Sequence, residues 1–244
     1  MKQHEAVIEV MQENGGYATL GLLYQKAPQV PGSKWGTKTP FASIRRIVQT
    51  HPGFFRIRPG LWALKSERER VLKAFALSNE AQAAKDEAFN HSYFQGLIVE
   101  IGNLKGFETF VPHQDKNKPF LQRRLSEVIT LKEFPDFTYG TLLRRAKTVD
   151  VTWFNRRSFP SAFFEVEHST DIQNSLLKYT EFQDFRVEFF IVADKRRRGE
   201  FEGKLAYTAF APVRQEVKFL DYDTLSDLHS NVSASVALER RSRL

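Results

Sequence analysis

The chain has 244 residues, of which 41% are hydrophobic, and this is enough for one large domain or two modest ones. It contains no cysteine, which excludes disulfides, thiolate zinc sites and cysteine nucleophiles. The net charge of +7 and the isoelectric point of about 9.5 suit a nucleic-acid-binding protein but are not specific for one.

Several functional classes lack their sequence signals. The first residues are polar without the apolar core of a signal peptide, and no run of about 18 apolar residues occurs, so we expect no membrane span and a cytoplasmic location. No glycine-rich phosphate loop, Gly-x-Ser-x-Gly or His-Glu-x-x-His motif is present. ATP-driven motors, serine hydrolases of that type and zinc proteases are therefore not supported.

The positive charge is concentrated at the N-terminus. Residues 1–64 carry eight basic and three acidic side chains, a net charge of +5, and the rest of the chain supplies +2. A small segment that holds most of the excess charge is a better candidate for contacting nucleic acid than the whole chain.

The same segment predicts three helices and a hairpin. Apolar spacing favours helices over 4–13, 19–27 and 40–50, with Thr19 as an N-cap and Pro40 in the first turn of the third. Strands over 54–57 and 61–64 flank a Pro-Gly turn. This is the layout of a winged helix, whose third helix enters the major groove. The candidate DNA-binding residues on that helix and the wing are Lys38, Ser43, Arg45, Arg46, Gln49, Arg56 and Arg58.

These residues resemble the HARE-HTH family of winged helices. The resemblance rests on Thr37-Lys38-Thr39-Pro40 leading into Ser43-Ile44-Arg45, and on a hairpin that ends Gly60-Leu61-Trp62-Ala63-Leu64. It covers about 60 residues and implies DNA binding; some members of that family are fused to restriction enzymes. A protein-binding winged helix with solvated arginines is the alternative.

Composition divides the chain into three parts. Residues 66–90 are charged and alanine-rich, which favours a helical linker. We expect a winged-helix domain over 1–65, this linker, and a second domain over 91–244.

The second domain alternates predicted helices and strands. Helices are expected over 91–104, 119–130, 171–183 and 198–210, and strands over 107–111, 148–154, 162–167, 186–192 and 216–220, with 186–192 as a central strand. The tail from 231 to 244 is either helical or disordered. This order predicts an α/β fold, with helices packed on one mixed central sheet.

Three carboxylates lie on two adjacent predicted strands. Asp150 is flanked by valines, and Glu165 and Glu167, two residues apart, point to the same face of their strand. If the strands pair, three like charges converge, and a bound Mg²⁺ or Mn²⁺ would relieve their repulsion. Such a metal activates water and stabilises charge on phosphorus. Solvent-facing acids on an ordinary hairpin are the alternative, which the apolar neighbours of these acids disfavour.

This pattern resembles the PD-(D/E)xK nuclease superfamily, over residues 91–225. Asp150 matches the first acid of that motif and Glu165 the second, whereas Glu167 stands where lysine is usual, as in a minority of restriction enzymes. Glu100, on the first helix, matches an acid that many members use as an extra metal contact. The resemblance implies a restriction-endonuclease-like core in which Asp150, Glu165 and Glu167 are catalytic and Asp150, Glu165 and Glu100 bind metal.

Auxiliary candidates are less specific. His168 follows the acidic pair and either contacts phosphate or water or is a plain strand-end histidine. Lys178 on the next helix either reaches back to replace the motif lysine or is solvated. His91 and His113 show no metal-ligand spacing in the sequence.

The sequence therefore predicts a Mg²⁺-dependent, or Mn²⁺-dependent, type II restriction endonuclease that cleaves double-stranded DNA. Since each chain would hold one active site, a homodimer is expected for cutting both strands. The alternatives are a nuclease with a repair or other role, including one directed to modified bases, and a DNA-binding regulator with an inactive nuclease core.

Overall fold

The computed structural model describes residues 1–36, 39–77 and 86–242. Contacts divide the chain into two compact units, Met1–Asp86 together with Ser226–Leu244, and Glu87–Leu225. By their contacts, residues 231–242 of the predicted tail and the described linker residues 66–77 and 86 thus belong to the first unit. Within the described ranges, no helix combines the length and apolar character needed to cross a membrane.

The N-terminal unit combines helices with a small antiparallel sheet. In chain order its elements are α1 Gln3–Glu13, β1 Tyr17–Thr19, α2 Leu20–Lys26, α3 Phe41–Thr50, β2 Phe54–Arg58, β3 Leu61–Leu64 and α4 Arg68–Ala74. The strand order is β1-β3-β2, and both pairings are antiparallel. The Thr19 hydroxyl accepts a hydrogen bond from the Leu22 amide at 3.2 Å, which confirms the predicted N-cap.

One apolar core holds this unit together. Val7, Val10 and Met11 on α1 pack with Ile44 and Val48 on α3, as the helical spacing predicts. The glycine between β2 and β3, Gly60, has a φ of 75°, a left-handed conformation that suits a tight hairpin turn.

The C-terminal unit is built on a five-stranded mixed sheet. Its elements are α5 Glu87–Leu104, β4 Glu108–Phe110, β5 Pro119–Phe120, β6 Arg123–Arg124, α6 Gly140–Ala146, β7 Val151–Phe154, β8 Pro160–Glu167, α7 Ile172–Thr180, β9 Glu188–Ala193, α8 Arg198–Leu205 and β10 Val217–Asp221. The order is β10-β9-β8-β7-β4; β8 pairs with β9 in parallel and with β7 antiparallel. This confirms the predicted α/β restriction-endonuclease-like core with a mixed central sheet.

The core of this unit is rich in phenylalanine. Phe163 and Phe189 on neighbouring strands are buried with Phe182, and Leu176 and Tyr179 of α7 pack against the same cluster. The last helix, α9 Tyr222–Ser242, begins in this unit and continues from Ser226 in the N-terminal unit.

The predicted helix over 119–130 is wrong. The segment forms the two-residue-loop hairpin β5–β6, with Leu121 at a left-handed φ of 55°, followed by a short 3-10 turn. Phe120 is fully buried, and its ring occupies the space beside Gly96 on α5, where an added Cβ would lie 2.0 Å from it. This tertiary contact outweighs the helical spacing of the segment.

Other differences concern element ends. The helix predicted over 198–210 stops at Leu205 and is followed by a 3-10 turn, Thr208–Phe210. The strand predicted as central, β9, lies inside the sheet beside β8, which is the middle strand. The described part of the C-terminal tail is helical up to Ser242.

Candidate active site

The two glutamates lie at the end of the middle strand. Glu165 and Glu167 are the sixth and eighth residues of β8, so both side chains project from one face, as the sequence predicts. Their exposed fractions are only 4% and 5%. Two buried carboxylates this close are costly unless other groups compensate their charge.

Asp150 lies one residue before β7 and not within it. The pairing of β7 with β8 brings it beside the glutamates, and its Oδ2 accepts a hydrogen bond from the Val166 amide at 2.8 Å. The aspartate carboxylate is therefore fixed against the backbone between Glu165 and Glu167. The hairpin thus brings together the three acids that the sequence selects.

Helix α7 supplies a cation to this acidic group. The Lys178 ammonium donates to Glu165 Oε1 at 2.5 Å and to the Thr148 carbonyl at 3.0 Å. The Lys178 side chain is only 15% exposed, so the predicted solvated alternative is not what the structure has. Burial raises the pKa of the Glu165 carboxyl, the charge of Asp150 raises it further, and Lys178 opposes both.

Glu167 has different partners from Glu165. The hydroxyls of Ser175 and Thr170 both donate to its carboxylate, and Ser175 also lies 3.4 Å from Glu165 Oε2. Glu167 is thus held by neutral hydroxyl donors, whereas Glu165 is held by a charged one.

Helix α5 adds residues that the sequence did not select. His91 Nε2 lies 3.5 Å from Asp150 Oδ1 and 3.9 Å from Asp115 Oδ2. Gln95, one turn further along α5, donates to Asp115 Oδ2 at 2.7 Å and to the Asp150 carbonyl at 3.1 Å. The i, i+4 spacing of His91 and Gln95 on a predicted helix was a usable signal, but Asp115 lay in a segment for which the sequence predicted neither a helix nor a strand.

The pKa values of His91 and Asp115 are shifted in opposite directions. Burial alone lowers the pKa of an imidazole, but the Asp115 and Asp150 carboxylates outweigh it and raise the pKa of His91 to about 10. Burial alone would raise the pKa of Asp115, yet the neighbouring donor side chains, His91 foremost, lower it to about 2. The Lys118 ammonium is one of these donors, 2.6 Å from Asp115 Oδ1.

Glu100 lies elsewhere. It is nine residues after His91 on α5, which turns it about 180° to the other side of the helix. Its carboxylate accepts from Arg123 at 2.7 Å, and it is not among the residues lining the acidic cavity. The structure therefore does not bring Glu100 together with Asp150 and Glu165.

The acids open into one cavity of about 420 Å³. His168 lines it and lies with its Nε2 3.4 Å from the Asn90 side-chain nitrogen. The lining residues are Glu87, His91, Arg145, Asp150, Glu165, Val166, Glu167, His168, Thr170, Asp171, Asn174, Ser175, Leu177 and Lys178. A larger cavity of about 600 Å³ lies at the β7–β8 turn, and its lining, which includes Arg157 and Arg186, contains no carboxylate among the described residues.

The candidate DNA-binding residues of the N-terminal unit differ in how exposed their side chains are to solvent. Arg46 and Gln49 are exposed on α3, and Ser43 is half-buried. Lys38 lies outside the described residues. Arg56 is exposed on β2 and donates to the Arg58 carbonyl at 3.2 Å.

Two of the predicted DNA-binding residues, Arg58 and Arg45, are buried or bonded within the N-terminal unit. Arg58 is only 5% exposed, so its side chain is not on the surface of the hairpin, contrary to the prediction. Arg45 donates to Asp227 at 2.8 Å and to Ser230 at 3.2 Å, both on α9, and also contacts Tyr24. Arg45 thus joins α3 to the C-terminal helix within this unit.

A mixed α/β sheet with acids at the adjoining ends of two central strands is the architecture of a restriction-endonuclease-like core. The family model described as "Type II restriction enzyme NmeDI C-terminal domain" matches residues 72–239. The match covers more than half of the chain, and the chain therefore belongs to this type II restriction enzyme family, whose members are endonucleases acting on DNA. No curated protein and no solved structure matches the chain.

Proposed function

We propose that this protein hydrolyses phosphodiester bonds of double-stranded DNA in a metal-dependent reaction at the acidic cavity. The observation that carries the proposal is the convergence of Asp150, Glu165 and Lys178 from three separate segments. Two acids and a lysine in this arrangement support assignment to the PD-(D/E)xK superfamily, with the lysine supplied by α7 in place of the usual strand position.

The donor set fits a hard divalent cation. Asp150 and Glu165 offer carboxylate oxygens in a cavity whose acids repel one another, and oxygen-only sites suit Mg²⁺, with Mn²⁺ as a substitute. When bound, such an ion would supply an acidified water and stabilise charge on the phosphoryl oxygens. These two residues would hold the ion.

The chain's other groups have separate roles. The Lys178 ammonium, fixed by Glu165 and Thr148, places a positive charge where negative charge grows on the attacked phosphate. Glu167, held by the Ser175 and Thr170 hydroxyls, keeps a carboxylate oriented at the cavity wall, where it can accept a proton from water. This explains how an acid is tolerated where the motif usually has lysine.

The N-terminal unit is proposed to be a winged helix that binds DNA through α3. The order of three helices and a hairpin supports this, and so does the exposure of Arg46 and Gln49 on one face of α3. Replacing Arg46 by alanine should weaken DNA binding and reduce the salt dependence of log Kd by about one ion, whereas Arg70→Ala on α4 should change neither. Equal affinities for both variants, measured by fluorescence anisotropy, would refute the assignment.

Cleavage of both strands usually needs two active sites, and we propose that two copies of the chain act together on DNA. Each chain carries one such acidic cavity among its described residues. Sedimentation of the protein with and without a DNA duplex tests this directly.

The deciding experiment is cleavage of unmethylated and methylated plasmid DNA with Mg²⁺. The native chain should give discrete fragments, and Asp150→Ala and Glu165→Gln should abolish them while DNA binding is retained. Asp136→Asn, at an exposed carboxylate away from the cavity, should cut like the native chain. DNA binding without cleavage by the native chain would instead favour a regulator with an inactive core.

A further inference from the structure

A histidine and two aspartates, His91, Asp115 and Asp150, lie close together beside the acidic cavity. His91 Nε2, Asp115 Oδ2 and Asp150 Oδ1 come from three separate segments, and these ligand atoms all lie within 4.8 Å of one another. His91 Nε2 is 3.5 Å from one carboxylate and 3.9 Å from the other, beyond the usual length of an N–H···O hydrogen bond. The His91 ring thus lies near both carboxylates without a hydrogen bond of usual length to either.

The spacing corresponds to that of ligands around a shared ion. Atoms that each lie about 2.0–2.2 Å from one cation are separated by about 3.3–3.6 Å in tetrahedral geometry, and by about 2.8–3.1 Å or about 4.0–4.4 Å in octahedral geometry. The 3.5 Å separation matches the tetrahedral value, and the 3.9 Å separation lies just below that of opposite octahedral ligands. One imidazole and two carboxylates form a donor set that suits Mn²⁺ or Zn²⁺ better than Mg²⁺, which prefers oxygen ligands and water.

We propose that His91, Asp115 and Asp150 form a second cation site that takes a transition-metal ion, next to the Asp150–Glu165 site and sharing Asp150 with it. This deepens the proposed nuclease function and rests on it for the role of the first ion. The two oxygens of Asp150 point to different neighbours, Oδ1 to His91 and Oδ2 to the Val166 amide, so one carboxylate can serve both sites.

The surroundings support a cation at this position. Two carboxylates face the Lys118 ammonium, whose side chain is 40% exposed and can turn to solvent when an ion enters, and His91 would release its ring proton to bind that ion. Asp115 itself is buried and oriented by Gln95, which also holds the Asp150 carbonyl. Two of the three ligand-bearing segments are therefore fixed in advance.

Metal binding can be measured without DNA and without activity. The full chain is freed of metal, titrated with Mn²⁺, and followed by electron paramagnetic resonance. We expect two Mn²⁺ ions per chain, one of which shows hyperfine coupling to a histidine nitrogen. Millimolar Mg²⁺ should displace the ion without nitrogen coupling and leave the other.

Variants separate the two sites. His91→Asn and Asp115→Asn should each bind one Mn²⁺ and lose the nitrogen coupling, whereas Glu165→Gln should lose the other ion and keep the coupling. His113→Asn is the matched control, since His113 is exposed and close to Asp115 in sequence, and it should bind two. Circular dichroism confirms that each variant is folded, and with two independent site variants one unfolded protein still leaves a test.

The outcomes distinguish this proposal from the proposed function. One Mn²⁺ per native chain, or two with no nitrogen coupling, would overturn the second site, and His91 would then be an imidazolium bridging two aspartates. Two ions with the expected coupling in a protein that does not cleave DNA would uphold the site and refute the nuclease proposal.

Discussion

Replacing Lys178 by methionine tests the charge balance of the acidic cavity. Methionine keeps most of the side-chain volume and removes only the ammonium, which leaves Glu165 buried without its cation. Removing one partner of a buried ion pair usually costs about 3–5 kcal/mol. The cost here should be near the lower limit, about 3 kcal/mol, because burial and Asp150 already raise the pKa of Glu165 and it can take up a proton.

The assay is urea unfolding in EDTA at neutral pH, as a double-mutant cycle with Glu165→Gln. A loss of about 3 kcal/mol corresponds to a fall in Tm of roughly 6–12 °C for a protein of this size. Adding Lys178→Met to Glu165→Gln should cost at least about 1 kcal/mol less than it does alone, since the uncompensated carboxylate is gone. Lys147→Met, whose exposed ammonium lies 4.0 Å from Asp136, should cost less than about 0.5 kcal/mol.

Additive effects of the two substitutions would refute the reasoning. So would a Lys178→Met protein as stable as the native chain. Either result would mean that the 2.5 Å contact contributes nothing to the stability of the folded state.

The remaining predictions use other contacts. Gly96→Ala should lower the Tm by several degrees, because its Cβ would lie 2.0 Å from the Phe120 ring, whereas Gly199→Ala, with open space around it on a helix, should raise the Tm slightly; equal Tm values would contradict this. In metal-free protein the pKa of His91 is raised from 6.5 to about 10, so its stabilisation is complete below pH 6.5 and is lost as the pH rises through 10. His91→Gln should therefore flatten the fall in urea midpoint between pH 7 and pH 10, and parallel curves would contradict it.

Much of the fold followed from short-range patterns. The helices 4–13 and 40–50 and the strands 54–57 and 61–64 lie within one residue of the observed bounds, because apolar periodicity and caps act locally. The helix predicted over 119–130 failed because a long-range contact, Phe120 against Gly96, decided that segment.

Some features of the candidate site also follow from local sequence patterns, and others depend on long-range packing. The sequence by itself determined that Glu165 and Glu167 share a face, because side chains alternate along a strand. It predicted that Asp150 would meet them if the two strands paired, and they do pair. The sequence left open whether Lys178 reaches the acids or is solvated, since that depends on how α7 packs on the sheet. The proximity of His91 to Asp115 and Asp150, the rotation of Glu100 away from them and the burial of Arg58 were decided only by the tertiary structure, because each depends on the packing of segments distant in sequence.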